Sequence, residues 1–316
     1  MTEPEDDNRS ASTPPPTDDG KRCGFVALIG APNAGKSTLL NALVGSKIAI
    51  VTHKVQTTRA LMRGIALEGA SQLIYVDTPG LFAPRRRLDR AMVTTAWGGA
   101  QDADVVALLL DSRKGIDEEA DSIIARLPHV KQPVLLLLNK VDLMQKDKLL
   151  TLAADANERS RFAATFMISA LTGDGLSQLR TWLAEHVPVG PWLYPEDQMT
   201  VLPLRQLAAE ITREKLYLRL HQELPYQTTV ETEQWKELRD GSVRIEQTIY
   251  VERDTQKKIV LGKGGATIKA IGAEARKEIA ELAEMPVHLF LFVKVRAGWG
   301  DDPERYREMG LEFPKE

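Results

Sequence analysis

Gly30-Ala31-Pro32-Asn33-Ala34-Gly35-Lys36-Ser37-Thr38 has the form G-x-x-x-x-G-K-S; the apolar run Phe25–Ile29 stands before it and the helical pattern Leu39–Val44 after it. Strand, glycine-rich loop and helix in that order make a phosphate cradle. The glycines let successive backbone N–H groups turn toward phosphate oxygens, and the helix N-terminus adds a favourable dipole. In such a loop Lys36 reaches the terminal phosphates and Ser37 offers its hydroxyl to Mg2+. Residues 30–38 are therefore the first candidate site, with a nucleoside triphosphate as ligand.

Outward from this loop, near-continuous apolar runs at Leu73–Val76, Val105–Leu110 and Val134–Leu138 read as strands buried on both faces. Between them, residues 88–100, 117–127 and 176–186 carry helical periodicity. The alternation predicts a doubly wound α/β domain with a mostly parallel sheet, whose ligand lies beyond the carboxyl ends of the strands.

Two of those strand ends carry chemistry. Asp77-Thr78-Pro79-Gly80 closes the run that starts at Leu73. There Asp77 is suited to the Mg2+ shell and the Gly80 N–H to the γ-phosphate. Asn139-Lys140-Val141-Asp142 ends another strand. The Asp142 carboxylate can accept two parallel N–H bonds from the Watson–Crick edge of guanine, where adenine offers a bare ring acceptor. A site built around a specific N–H rejects the analogue that lacks it. Ser169-Ala170-Leu171 follows the next short strand, where a backbone N–H can meet guanine O6. GTP is the expected nucleotide. Thr58, ahead of Thr57, is the expected switch hydroxyl that completes the Mg2+ shell. Lys36, Thr58, Asp77 and Gly80 are the expected catalytic set. Leu81 follows Gly80 and can neither orient nor deprotonate water, so slow intrinsic hydrolysis is expected; Arg59 is an arginine-finger candidate by position only.

Composition narrows the class. The 316 residues, 43% hydrophobic and 27% charged with net charge −3, suit two soluble domains. Residues 1–20 hold six acids, one arginine and a Pro-Pro-Pro run, and are expected as a disordered acidic tail. That tail has no cationic start or apolar core, and no stretch reaches the ~18 apolar residues of a membrane span. One cysteine, Cys23, and five scattered histidines give no disulfide and no metal-ligand spacing. We expect a GTPase domain over 21–188, a proline-rich linker over 189–200, an α+β domain over 201–298 and a polar tail over 299–316.

The second domain reads helix, strand, strand, helix–turn–helix, strand. Its turn, Gly262-Lys263-Gly264-Gly265, joins two helical patterns. Helix–G-x-x-G–helix is the arrangement with which a KH module clamps four nucleotides of single-stranded RNA. From Arg253 to Lys277 there are seven basic residues against two acids, the local excess a phosphate chain requires. Lys257, Lys258, Gly262, Lys263, Gly264, Gly265 and Lys269 are the candidate RNA contacts. An effector- or membrane-binding C-terminal domain is the competing reading; a small-molecule kinase is disfavoured by the guanine signature.

Taken together, residues 30–38, Gln56–Arg59, Asp77–Gly80, Asn139–Asp142 and Ser169–Leu171 resemble the five signatures of translation-factor-class GTPases. The P-loop variant resembles the Era branch, as do Ile268–Arg276, Pro286–Leu289 and Val293–Trp299 in a KH domain of the second topology; the similarity runs over about residues 22–300. It implies a P-loop GTPase followed by a type II KH domain that binds near the 3′ end of small-subunit ribosomal RNA during assembly. It further implies a monomeric cytoplasmic protein, loosely associated with the inner membrane surface, and K+ at Asn33, against the simpler role of capping the loop. Arg85-Arg86-Arg87 reads more simply as solvated charge than as a lipid contact.

Overall fold

The computed structural model describes residues 20–54, 57–221, 224–299 and 302–314. The expected acidic tail lies outside them except for Gly20, as do Val55 and Gln56 of the switch motif. In chain order the first domain runs β1 (Arg22–Gly30), α1 (Lys36–Val44), β2 (Met62–Glu68), β3 (Ser71–Asp77), α2 (Arg87–Gln101), β4 (Val105–Asp111), α3 (Glu118–Ile124), β5 (Val134–Asn139), α4 (Lys146–Arg159), β6 (Ala164–Ile168) and α5 (Leu176–His186). The sheet order is β2-β3-β1-β4-β5-β6, parallel except for the antiparallel edge pair β2–β3.

Unbroken apolarity in β4 and β5 follows from helices on both faces. Leu109, Leu135 and Leu137 pack with Leu39, Leu40 and Leu43 of α1 and with Leu179 and Leu183 of α5. Their alternates Leu108, Leu136 and Leu138 pack against Ala96, Ile123 and Ala156 of α2, α3 and α4. Since successive side chains leave a strand on opposite faces, one leucine run serves two cores. Two elements escape the sequence reading. β2 is an edge strand broken by Arg63 and Glu68, and α4 buries only Leu149 and Ala156, too little for an apolar stripe.

The second domain places α6 (Leu204–Arg219), α7 (Asp254–Leu261) and α8 (Ala266–Ala283) on a sheet of β7 (Thr228–Glu237), β8 (Val243–Val251) and β9 (Val287–Val295). β7 and β8 pair antiparallel, β8 and β9 parallel. Leu207, Ile211 and Leu216 of α6 and Ile271, Ala275 and Ile279 of α8 meet the inner residues of β8, Val243, Ile245 and Ile249. This is the α-β-β-α-α-β order of a type II KH domain.

The connection between the domains is pinned. Gln72 donates to the Tyr194 carbonyl at 2.8 Å and accepts from the Leu193 and Tyr194 N–H groups, while Met199 O accepts from Ile65 N at 2.8 Å. The segment expected as a polar tail carries α9 (Pro303–Glu308), whose Tyr306 is buried with Leu311 against Ala91 and Met92 of α2. Four apolar side chains, Tyr306, Met309, Leu311 and Phe313, sit among charged neighbours there, which explains why composition alone reads as a tail.

Candidate nucleotide site and nucleic-acid interface

β1 delivers the P-loop, and α1 begins with Gly35 as its N-cap. This helix start has no side-chain cap and no acid in its first turn, so no residue of the turn competes for its N–H groups. Gly35 sits at φ 103°, and a Cβ there would lie 2.3 Å from Asn139 Nδ2; only glycine fits. Lys36 Nζ donates to the Gly30 and Ala31 carbonyls at 3.0 and 3.1 Å, arching back over its own loop. Burial pushes its ammonium down to about 8, against the opposing pull of Asp77 and Glu119.

The hydroxyls and the carboxylate expected at the metal converge. Ser37 Oγ donates to Asp77 Oδ2 at 2.6 Å, Thr58 Oγ1 donates to the same oxygen at 3.2 Å, and the two hydroxyls are 2.9 Å apart. Asp77 is fully buried and, among the described residues, its Oδ1 has no hydrogen-bond partner. Burial raises its carboxyl pKa, and Lys36, Ser37 and Thr58 oppose that rise. A buried carboxylate with one orphaned oxygen beside two hydroxyls is an all-oxygen donor set suited to Mg2+. Thr57 faces away: its Oγ1 bonds Thr52 Oγ1 at 2.7 Å and the Lys54 carbonyl at 2.9 Å.

A cavity of about 430 Å³ runs from this cluster to the predicted base end, lined among others by Pro32, Asn33, Ser37, Thr38, Gly80, Asp142 and Leu171. Gly30, Ala31, Ala34, Asp77, Thr78 and Pro79 do not line it themselves; Thr78 spends its hydroxyl on the Leu28 carbonyl at 2.7 Å. Asn139 is the hub between the loops. Its Nδ2 donates to the Ala34 carbonyl at 2.8 Å, and its Oδ1 accepts from Ala170 N at 3.0 Å. Lys140, in the left-handed region at φ 66°, extends to the Asn33 carbonyl and to Asp111 Oδ2, both at 2.7 Å. Asp142 is exposed at the cavity wall, Ser169 is buried and Leu171 is 80% exposed. Asn33 also has positive φ, and its Nδ2 donates to the His53 carbonyl at 3.0 Å.

Asp111, Arg113, Lys114 and Thr52 line the same cavity without forming a motif. Asp111 was findable only as the last residue of a central strand. Burial alone would raise its carboxyl, but bonds from Arg113 and Lys140 hold it down at about 2. Leu81, the residue directly after Gly80, is buried in the α2-facing core and does not line the cavity. Arg59, the positional finger candidate, is directed elsewhere: Nη1 donates to the Thr228 carbonyl and Nη2 to Tyr217 Oη, each at 2.9 Å.

In the second domain, Gly262 ends α7 with φ 72° and ψ 173°, and a Cβ there would lie 2.2 Å from Thr267 Oγ1. That backbone leaves Lys263 and Gly264 exposed between α7 and α8, with Gly265 half-buried at the N-cap of α8. Lys257, Lys258, Lys263 and Lys269 have no carboxylate within ion-pair distance among the described residues. Their charge is uncompensated, as a phosphate-binding edge requires.

Fold and site together define a P-loop GTPase joined to a KH domain. Family models match each half: a 50S ribosome-binding GTPase over residues 25–140 and a KH domain over 223–300. The chain belongs to the Era family of GTPases. It is 72% identical to GTPase Era of Afipia carboxidovorans over 93% of this chain and 96% of that one. It is 64% identical to GTPase Era of Rhizobium meliloti over 100% and 99%. An Era crystal structure with MgGDPNP and nucleotides 1506–1542 of 16S ribosomal RNA superposes with TM-score 0.87 at 34% identity, covering 92% of this chain and 99% of that one. A variant of Aquifex aeolicus Era bound to GDP and aluminium fluoride gives TM-score 0.87 at 35% identity over the same shares.

Proposed function

We propose that this protein is a GTP-driven switch that binds single-stranded RNA near the 3′ end of small-subunit ribosomal RNA and assists assembly of that subunit. The observation that carries the reading is the uncompensated basic G-x-x-G edge on the same chain as a complete nucleotide cavity. The related Era structure holds both a GTP analogue and a ribosomal RNA fragment. In the reaction, water attacks the γ-phosphate and GDP leaves with phosphate. Lys36 and the α1 N-terminus bind and orient the phosphate chain, and Asp142 selects guanine. Ser37, Thr58 and Asp77 would hold Mg2+, which supplies positive charge at the β- and γ-phosphates. With Leu81 in the core, the residue after Gly80 cannot orient the water, and we assign slow intrinsic turnover.

Asn33 spends its Nδ2 on His53, which leaves the carboxamide oxygen for K+ beside the phosphates. Equal turnover in sodium and potassium buffers removes that assignment. The domain limits 21–188 and 201–298, a monomeric state, a cytoplasmic location and loose contact with the inner membrane surface complete the reading, the last three on family resemblance alone. No helix among the described residues is long and apolar enough to cross a membrane.

The test is affinity for single-stranded RNA at two salt concentrations, with a non-hydrolysable GTP analogue and with GDP. If four lysines each neutralise one phosphate, affinity falls about fifty-fold between roughly 50 and 200 mM salt, from a slope of about −0.7 per contact. Binding is tighter with the analogue and lost in the Lys263→Asp/Gly264→Asp variant. Absence of RNA binding in the unmodified chain overturns the reading and favours a protein or membrane partner.

A further inference from the structure

The segment that carries Thr58 is held in place by the second domain. At its start, Val51 N donates to Glu214 Oε1 at 2.8 Å, and the other Glu214 oxygen accepts from Lys47 at 2.7 Å. Lys54 Nζ donates to the Tyr217 and Leu220 carbonyls at the end of α6. The Thr57 carbonyl accepts from Arg213 Nη2 at 2.7 Å. Arg59 then leaves the GTPase domain altogether. The residue is 6% exposed, and its guanidinium is bonded to Thr228 O and Tyr217 Oη, with its centre 5.5 Å from the Trp299 ring. Arg213, Glu214 and Tyr217 are one turn of α6, spaced i, i+1, i+4, so a single helical turn grips both flanks of Thr58.

This geometry has a directional consequence. Thr58 touches Ser37 and Asp77 through one hydroxyl, whereas its flanks are fixed by several charged bonds to the KH domain. A hydroxyl on a free loop must give up backbone conformational freedom before it can serve a metal. Here that ordering is done beforehand by α6.

We propose that Arg59, docked on Tyr217 and Thr228, is a positioning residue for Thr58, so that the KH domain completes the GTP-specific half of the nucleotide site. The inference rests on the GTPase reading above. It predicts a selective defect. GDP has no γ-phosphate and makes no use of Thr58; GTP does. Loosening Arg59 therefore weakens the GTP state and spares the GDP state. By reciprocity, the GTP state favours the docked KH domain to the same degree.

The test uses the full chain with Mg2+, comparing affinities for GDP and for a non-hydrolysable GTP analogue. Arg59→Gln is expected to weaken the analogue about tenfold and GDP less than twofold, with kcat falling at saturating GTP. Tyr217→Phe removes one bond to the guanidinium while keeping the ring, and gives a smaller loss of the same sign, about threefold. Unchanged analogue affinity in both variants overturns the proposal, as does an equal loss for analogue and GDP, which would make Arg59 a support of the fold only. Failure of the unmodified chain to bind either nucleotide would instead overturn the GTPase reading itself.

Discussion

Replacing Asn139 by alanine tests whether the phosphate loop and the base loop form one unit. The side chain is 1% exposed and satisfies two backbone groups, the Ala34 carbonyl and the Ala170 N–H. Each buried group left unpaired costs ~1–3 kcal/mol, about 2–6 kcal/mol for the pair. Asn139 also borders the nucleotide cavity, so water can enter the vacated space and the lower figure applies. A loss of about 2 kcal/mol lowers the melting temperature of a domain this size by roughly 4–8 °C. The nucleotide then feels two loops that no longer move together, and GDP and GTP-analogue affinities fall alike, by about tenfold for each 1.4 kcal/mol. Asn139→Asp keeps the acceptor for Ala170 but sets an anionic oxygen against the Ala34 carbonyl, and is expected to do no better than alanine. The assay is scanning calorimetry with a fluorescent-nucleotide titration. A melting shift under about 1 °C with both affinities inside twofold would refute the hub argument.

Two further expectations concern protons. Lys36 is held near 8 by burial, below its unfolded value of 10.5, so the ammonium penalises the empty folded site below pH 8 and that penalty disappears as pH rises through 10.5. Nucleotide phosphates restore the charge; calorimetry at about pH 9 in two buffers of different ionisation enthalpy should show proton uptake on binding, and none would refute it. Asp111 is the opposite case: its folded pKa of about 2 lies below 3.8, so its stabilisation is present above pH 4 and lost as pH falls toward 2. Asp111→Asn should cost at most about 2 kcal/mol in urea unfolding at neutral pH and progressively less at acid pH; a constant difference would rule out the ion pairs with Lys140 and Arg113 as its source.

The sequence by itself determined the topology class, the nucleotide and the presence of an RNA-type loop. These rest on local chemistry: a glycine that must bend the chain, a strand apolar on both sides, a carboxylate at a strand end suited to the N–H edge of guanine. β2 and α4 were hidden because an edge strand and a half-exposed helix bury too little to impose a period. The choice between Thr57 and Thr58 was legible only weakly, since adjacent hydroxyls look alike until the backbone turns one toward Asp77 and the other toward Thr52. Arg59 shows the limit most plainly. Its position in the chain suggests a phosphate partner, but its guanidinium finds a carbonyl and a phenol more than 150 residues away, in another domain. The docking of α9 on α2 was hidden likewise, because four apolar side chains in a charged segment acquire meaning only against the surface they cover. Short-range stereochemistry is written in neighbouring residues; contacts between distant segments depend on how two folded surfaces meet, and only the tertiary structure decides that.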